Sequence, residues 1–247
     1  MELADRIKRY EKTFSFQTLN RMPVMIRVDG RAFHNFTRGM QKPFDQYLIS
    51  AMVSSACDVA KEMQGFKVGY VQSDEATFCL TDYDRLETQG WFDYDLSKMV
   101  SISAAIMSVA FNRKYANIEI QHIDDRVTSF EANLHKLLPI FDSRAFSVPP
   151  DDVVNAFLWR AKDWERNSLQ MYARAFFSHK ELINKGHAEI HEMLHGIGKN
   201  WATDLTDQER NGTFIFLHNR GGGEIRTDIL PTYQSINAAI GKLFERE

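Results

Sequence analysis

The sequence predicts an α+β fold, a ferredoxin-like βαββαβ sheet over residues 1–150 followed by a helical C-terminal appendage over residues 151–247 that carries one short strand and packs on the sheet. Short runs rich in β-branched and aromatic residues alternate with segments of helical period in the order strand, helix, strand, strand, helix, strand. Past Pro149-Pro150 the apolar spacing turns helical for most of the remaining chain. A chain of 247 residues that is 44% hydrophobic can bury a core without disulfides or structural metals.

Residues 25–28 (Met-Ile-Arg-Val) form the first strand, stopped by a turn at Asp29-Gly30-Arg31. Residues 44–63 follow as a helix, with Tyr47, Leu48, Ala51, Met52, Ser55, Val59 and Met63 on one face and Gly65 closing it. Residues 68–71 and 76–80 are strands joined by the polar tip Gln72-Ser73-Asp74-Glu75. A second helix covers residues 96–112, with Met99 and Met107 as core fillers, and a fourth strand covers 145–148. In the split βαβ arrangement the third strand lies between the first and second, antiparallel to both. That order brings Asp29, at the end of strand one, beside Asp74, at the start of strand three. The appendage reads as helices over 151–177 and 180–194, a strand over 212–216 and a flexible loop at Gly221-Gly222-Gly223, which matches no phosphate-binding glycine motif.

Composition excludes several classes. Lys plus Arg (30) against Asp plus Glu (33) leaves a net charge of −3, so a nucleic-acid partner needs a local basic patch. Trp159, Trp164 and Trp201 with Arg160, Lys162, Arg166, Arg174 and Lys180 are a candidate for one. Cys57 and Cys79 form no Cys-x-x-Cys pair and sit on core elements, as inert thiols do. The N-terminus is charged and no apolar run approaches 18 residues, so the expectation is a cytoplasmic protein with no membrane partner.

Two aspartates converging at strand ends are hard oxygen donors suited to Mg²⁺, and a pair of such ions serves phosphoryl transfer. Gly30 would let its own carbonyl approach an ion closely. The competing reading is structural, because Asp-Gly at a strand end is commonly just a turn.

The segments Ile26-Arg27-Val28-Asp29-Gly30-Arg31-Ala32-Phe33-His34-Asn35-Phe36 and Gln72-Ser73-Asp74-Glu75-Ala76-Thr77-Phe78 resemble the paired signature of the tRNA-His guanylyltransferase superfamily. Lys42-Pro43-Phe44-Asp45, Ser97-Lys98-Met99, Phe141-Asp142-Ser143-Arg144 and the surroundings of Trp159-Arg160 and Asp163 extend the similarity through most of the chain. The resemblance implies a polymerase-like palm that adds nucleotides to the 5′ end of tRNA in the 3′→5′ direction. ATP or GTP activates a 5′-monophosphate, and the 3′-hydroxyl of the incoming nucleotide then attacks it. By that pattern Asp29, Asp74 and the Gly30 carbonyl hold two Mg²⁺ ions, with Glu75 beside them as ligand or orienting group. Phe33, His34, Lys42, Asp45, Ser73 and Lys98 match positions that line the nucleotide and its triphosphate. Arg144, Arg160, Arg166 and Asn167 are candidate RNA contacts, and a homotetramer is implied. One departure sets the expected substrate. Where the eukaryotic enzymes carry His-Ile-Asn-Asn-Leu-Tyr-Asn, this chain has Trp164-Glu165-Arg166-Asn167-Ser168-Leu169-Gln170. It therefore looks closest to the guanylyltransferase-like members, and templated 5′-end repair is favoured over guanosine addition to tRNA-His.

A palm that binds nucleotide or RNA but has lost catalysis is a second class, which the intact Asp29, Asp74 and Glu75 disfavour. His191-Glu192-Met193-Leu194-His195 matches the His-Glu-x-x-His pattern of zinc proteases. The extended pattern fails, with Trp201 where a further His would be sought. A helix with Ile183, Ile190, Leu194 and Ile197 buried and His187, His191 and His195 flanking them explains the spacing instead.

Overall fold

The computed structural model describes residues 2–13, 15–83, 85–121, 138–218 and 223–244. Six strands build one antiparallel sheet: β1 (Val24–Gly30), β2 (Phe66–Gln72), β3 (Glu75–Leu80), β4 (Phe141–Ser147), β5 (Thr213–His218) and β6 (Glu224–Asp228). Their order is β4-β1-β3-β2-β5-β6, so β3 lies between β1 and β2 and antiparallel to both, as the βαββαβ pattern requires. The sheet does not stop at β2. β5 pairs with β2 and β6 pairs with β5, so the later segment contributes two strands to the same sheet, of which the hydrophobic pattern revealed only the first. β6 escapes notice because it is an exposed edge strand of sequence Glu-Ile-Arg-Thr-Asp, with no apolar face to bury.

Alternation along β1 sends Val24, Ile26 and Val28 to one face and Met25 to the other. The first face is covered by α3 (Gln46–Glu62) and α4 (Leu96–Gln121), which follow α1 (Leu3–Lys12), a helix with no buried residue, and the short α2 (Phe33–Phe36). Ala51, Met52, Ser55, Ala56 and Val59 of α3 recur at helical spacing and are buried there, and Met99 and Met107 of α4 are buried as expected. The opposite face is covered by α5 (Val153–Ala173), whose Phe157 and Ala161 pack with Met25, Tyr70, Cys79 and Phe214.

The helix expected over 180–194 is broken. α6 (His179–Leu182) ends before Asn184, which adopts φ +59°, and α7 (His187–Gly196) starts afresh with Gly186 N–H donating to Glu189 Oε2 at 2.9 Å. The expected apolar stripe is corrected accordingly. Ile190 and Leu194 are fully buried, whereas Ile183 and Ile197 lie outside the helix and are half-exposed. α8 (Trp201–Asp204) and α9 (Asp207–Asn211) lead into β5, and α10 (Tyr233–Phe244) follows β6. Ile236 and Ile240 of α10 join α5 on the same face of the sheet. Of the glycine loop at 221–223, only Gly223 falls within the described residues. Among them no helix is long and apolar enough to cross a membrane.

Candidate active site

The site is built where β1 ends against the β2–β3 hairpin. β1 continues through Asp29 and Gly30 as strand, with Asp29 opposite Glu75 on one side and Asp142 on the other. Only Ser73 and Asp74 link β2 to β3, and Ser73 turns the chain at φ +48°, in the left-handed region. Gly30 N–H donates to the Asp74 carbonyl at 2.9 Å, and Ser73 Oγ donates to Asp74 Oδ1 at 2.9 Å. These bonds hold Asp74 against the end of β1. Burial pushes the Asp74 carboxyl above its ordinary range, the Ser73 hydroxyl opposes the shift and the charge of Asp29 adds to it.

Gly30 is required by its neighbour. A Cβ built on it would stand 2.3 Å from the Phe33 ring. That ring is fixed in turn by Phe36, Phe111 and Phe141, with centroids 5.4, 5.5 and 5.0 Å away. The start of α2, the second half of α4 and the start of β4 thus converge on one aromatic cluster behind the acidic pair.

Two clefts open on either side of the hairpin tip. The larger, about 700 Å³, is lined by Gly30, Phe33, His34, Lys42, Asp45, Ser73 and Asp74, and by Arg38, Trp164 and Arg174. The smaller, about 320 Å³, is lined by Asp29, Asp74, Glu75, Arg160, Asn167 and Arg174. Gln72, Ser73, Asp74, Trp164, Met171 and Arg174 face both. Folding therefore gathers most of the residues singled out from the sequence, including pairs far apart in the chain. Arg38, Gln72 and Arg174 are cleft residues that the sequence reading did not select as nucleotide or metal contacts. Arg174 carried a signal only as one cation of the aromatic and basic stretch.

Four of the expected groups have particular surroundings. Lys98 lines neither cleft. It lies in the first turn of α4, whereas Phe111, which touches Phe33, is about 20 Å further along at 1.5 Å per residue. Asp45 lines the larger cleft but spends its carboxylate on backbone, accepting from Tyr47 N at 3.0 Å, Leu48 N at 3.2 Å and Gln41 N at 3.2 Å. It caps α3 and ties down the loop that carries Lys42. Arg160, read as an RNA contact, is only 8% exposed. Its Nε and Nη2 each donate at 2.7 Å to the two oxygens of Glu75, its Nη2 is 3.2 Å from Asp163 Oδ2, and its guanidinium lies 4.6 Å from the Trp159 ring centre. The Glu75 carboxylate is therefore held by Arg160, with Arg27 Nε also 3.8 Å away. The aromatic and basic residues do not form one surface, because Trp164 is buried while Trp159 is exposed.

Of the remaining RNA candidates, Arg166 is exposed and paired with Asp163 outside both clefts. Asn167 lines the smaller cleft and donates to Asp163 Oδ2 at 3.3 Å. Arg144 is an exposed residue of the edge strand β4, 3.4 Å from Asp142 Oδ1 and level with Arg27.

The donor set fits a magnesium site. It offers two carboxylates and a backbone carbonyl, all hard oxygens. Among the described residues no group of three or more His, Cys, Asp or Glu is arranged for a metal ion, and the His-Glu-x-x-His helix is no exception. His191 and His195 stand with ring centres 6.4 Å apart on α7, and His191 packs by Trp201.

A family model described as tRNAHis guanylyltransferase (Thg1) matches residues 4–149. Over 192 residues the chain is 30% identical to protein R259 of Acanthamoeba polyphaga mimivirus, covering 71% of this chain and 63% of that protein. It is 29% identical over 168 residues to a probable tRNA(His) guanylyltransferase of Dictyostelium discoideum, covering 65% and 59% respectively. The chain thus spans about three-fifths of the length of these relatives. A bacterial tRNA(His) guanylyltransferase (Thg1)-like protein solved in complex with ATP superposes with a TM-score of 0.84 at 34% identity, covering 98% of this chain and 99% of that one. One solved in complex with GTP gives 0.78 at 31%, with the same coverage. Since the family model spans more than half of the sequence and takes in both Asp29 and Asp74, the chain belongs to the tRNAHis guanylyltransferase (Thg1) family.

Proposed function

We propose that this protein is a Mg²⁺-dependent nucleotidyltransferase that adds nucleotides to the 5′ end of tRNA in the 3′→5′ direction, repairing truncated ends against the opposite strand. The observation that carries this reading is the meeting of two clefts at Asp74, one roomy enough for a nucleoside triphosphate. A reaction that joins a nucleotide to an RNA end needs two phosphate-bearing substrates side by side.

In this reading Lys42 and His34, which line the larger cleft, hold the polyphosphate of ATP or GTP as cation and hydrogen-bond donor. Phe33 walls the base or ribose, and Ser73 keeps Asp74 oriented by donating to Oδ1. Asp29, Asp74 and the Gly30 carbonyl would hold magnesium. When bound, the metal supplies activation of the attacking hydroxyl and neutralisation of charge on the phosphoryl oxygens. Residues 1–150 carry this chemistry as the catalytic domain, and residues 151–247 complete both clefts through Trp164, Met171 and Arg174.

Repair is favoured over guanosine addition by the sequence Trp164 to Gln170, which replaces the block carried by the eukaryotic enzymes. The near-complete overlap with bacterial guanylyltransferase-like proteins supports it. The name of the Dictyostelium relative favours the second reading, guanosine addition to tRNA-His. The test offers purified protein, Mg²⁺, ATP and labelled GTP two substrates: a 5′-monophosphorylated tRNA lacking its first nucleotide, and full-length tRNA-His. Templated addition to the truncated tRNA is expected. Addition only to tRNA-His would establish the second reading, and addition to neither would remove both.

A further inference from the structure

Arg174 stands at the C-terminal end of α5, where its N–H closes the helix on the Gln170 carbonyl at 3.0 Å. Among the described residues its side chain is the one cation that lines both clefts, sharing the larger with Lys42 and the smaller with Asp29. The other arginines of α5 are paired with acids of the protein, buried Arg160 with Glu75 and Asp163 and exposed Arg166 with Asp163. The Arg174 guanidinium forms no hydrogen bond or ion pair among the described residues, although it faces the cleft that holds the acidic pair. An exposed fork of donors that borders two ligand-sized spaces, with no protein anion among the described residues to satisfy it, matches a phosphoryl group.

We propose that Arg174 is a phosphate-binding residue at the junction of the two clefts, gripping a phosphoryl group of a bound substrate beside Asp74. The inference deepens the reading of the preceding subsection and rests on it. A phosphoryl group can reach this point from the polyphosphate of a nucleoside triphosphate in the larger cleft or from the 5′-phosphate of an RNA end in the smaller. Either source presents the same planar pair of acceptor oxygens to the guanidinium.

A cation at a helix C-terminus also steadies the helix dipole, so the test must separate the two roles. Wild type, Arg174→Ala and Arg174→Lys are compared, with Lys185→Ala, whose lysine pairs with Glu189 away from both clefts, as the charge control. Equilibrium binding is measured for GTP and, separately, for a 5′-monophosphorylated tRNA lacking its first nucleotide against the same RNA with a 5′-hydroxyl. Melting curves accompany each variant. Lysine keeps the charge at the helix end and loses the fork, so Arg174→Lys melts with wild type yet binds the phosphate ligand more weakly. Arg174→Ala loses roughly 10- to 100-fold in affinity, the range of a charge-assisted hydrogen bond.

Weaker GTP binding alone assigns the nucleotide polyphosphate. Loss of the preference for 5′-phosphate over 5′-hydroxyl RNA assigns the RNA end. Unchanged affinities for both ligands in Arg174→Ala, or a lower melting temperature as its only effect, overturn the proposal, as does failure of wild type to bind either ligand. Binding is read without turnover. A wild type that binds GTP in an Arg174-dependent way but adds no nucleotide therefore retains the phosphate site and overturns only the reading of the reaction.

Discussion

The Gly30 amide donates to the Asp74 carbonyl at 2.9 Å, which ties the last residue of β1 to the tip of the β2–β3 hairpin. Asp29, one residue earlier, sits level with Glu75, one residue later. The antiparallel register therefore sets the two aspartates side by side by backbone bonding alone, before any ligand is present. Placement of this kind is what a site for transferring phosphoryl groups requires, because charge that is already oriented need not reorganise during the reaction.

Gly30→Ala tests that tie. The added methyl would fall 2.3 Å from the Phe33 ring, which three other rings prevent from moving away. The variant is expected to lose about 1–3 kcal/mol of stability, the usual cost of overpacking, and to lose nucleotide addition as well. Pairing it with Phe33→Leu should restore part of the stability, read from denaturant melts. A Gly30→Ala protein that melts with wild type would show that the ring yields freely.

The Arg160–Glu75 pair is buried and bidentate, with both bonds at 2.7 Å. Arg160→Met strands the Glu75 carboxylate and should cost about 3–5 kcal/mol. The double variant Arg160→Met with Glu75→Gln should cost less than the sum of the two single changes, since the stranded charge is gone. Strict additivity in the double-mutant cycle would mean that the pair is not coupled.

Behind the sheet, Asp58 of α3 meets Lys114 at 3.2 Å, Arg113 at 3.3 Å and Lys61 at 3.4 Å. Partial burial alone would raise its carboxyl, but Lys114 and Lys61 outweigh that and hold it below the ordinary carboxylate range. A depressed folded pKa contributes stability that is fully present above the unfolded value and is lost as pH falls through the folded one. Asp58→Asn is thus expected to lower stability by about 0.5–1 kcal/mol at pH 7, most of it from the bond to Lys114, and the deficit should vanish as pH falls through the folded pKa of Asp58. A deficit that persists unchanged in acid would point to packing instead of charge.

The strand order and the approach of Asp29 to Asp74 were legible because both follow from local pattern plus one topological rule. Each strand of βαββαβ announces itself by short β-rich runs, and the rule places the third between the other two. What escaped depends on contacts that no local window contains. Asp45 is the exception, a helix cap whose partners Gln41, Tyr47 and Leu48 all lie within four residues of it, so an aspartate at the start of a helical segment already carried the signal. Arg160 looks like a surface cation until α5 docks and brings Glu75 to it, 85 residues away in sequence. Lys98 shares a helix with residues of the site but stands at its far end. The break at Asn184 was hidden because Ile183, Ile190, Leu194 and Ile197 keep helical spacing across a non-helical turn.

Asp29 and Asp74 are proposed together to form the reacting centre for adding a nucleotide to an RNA 5′ end. The most direct test is nucleotide addition to a truncated, 5′-monophosphorylated tRNA by wild type, Asp29→Asn and Asp74→Asn, each checked by its melting curve. Addition by wild type is expected, with a loss of at least about 100-fold in either variant and both still folded. Folded variants that turn over within tenfold of wild type would contradict it.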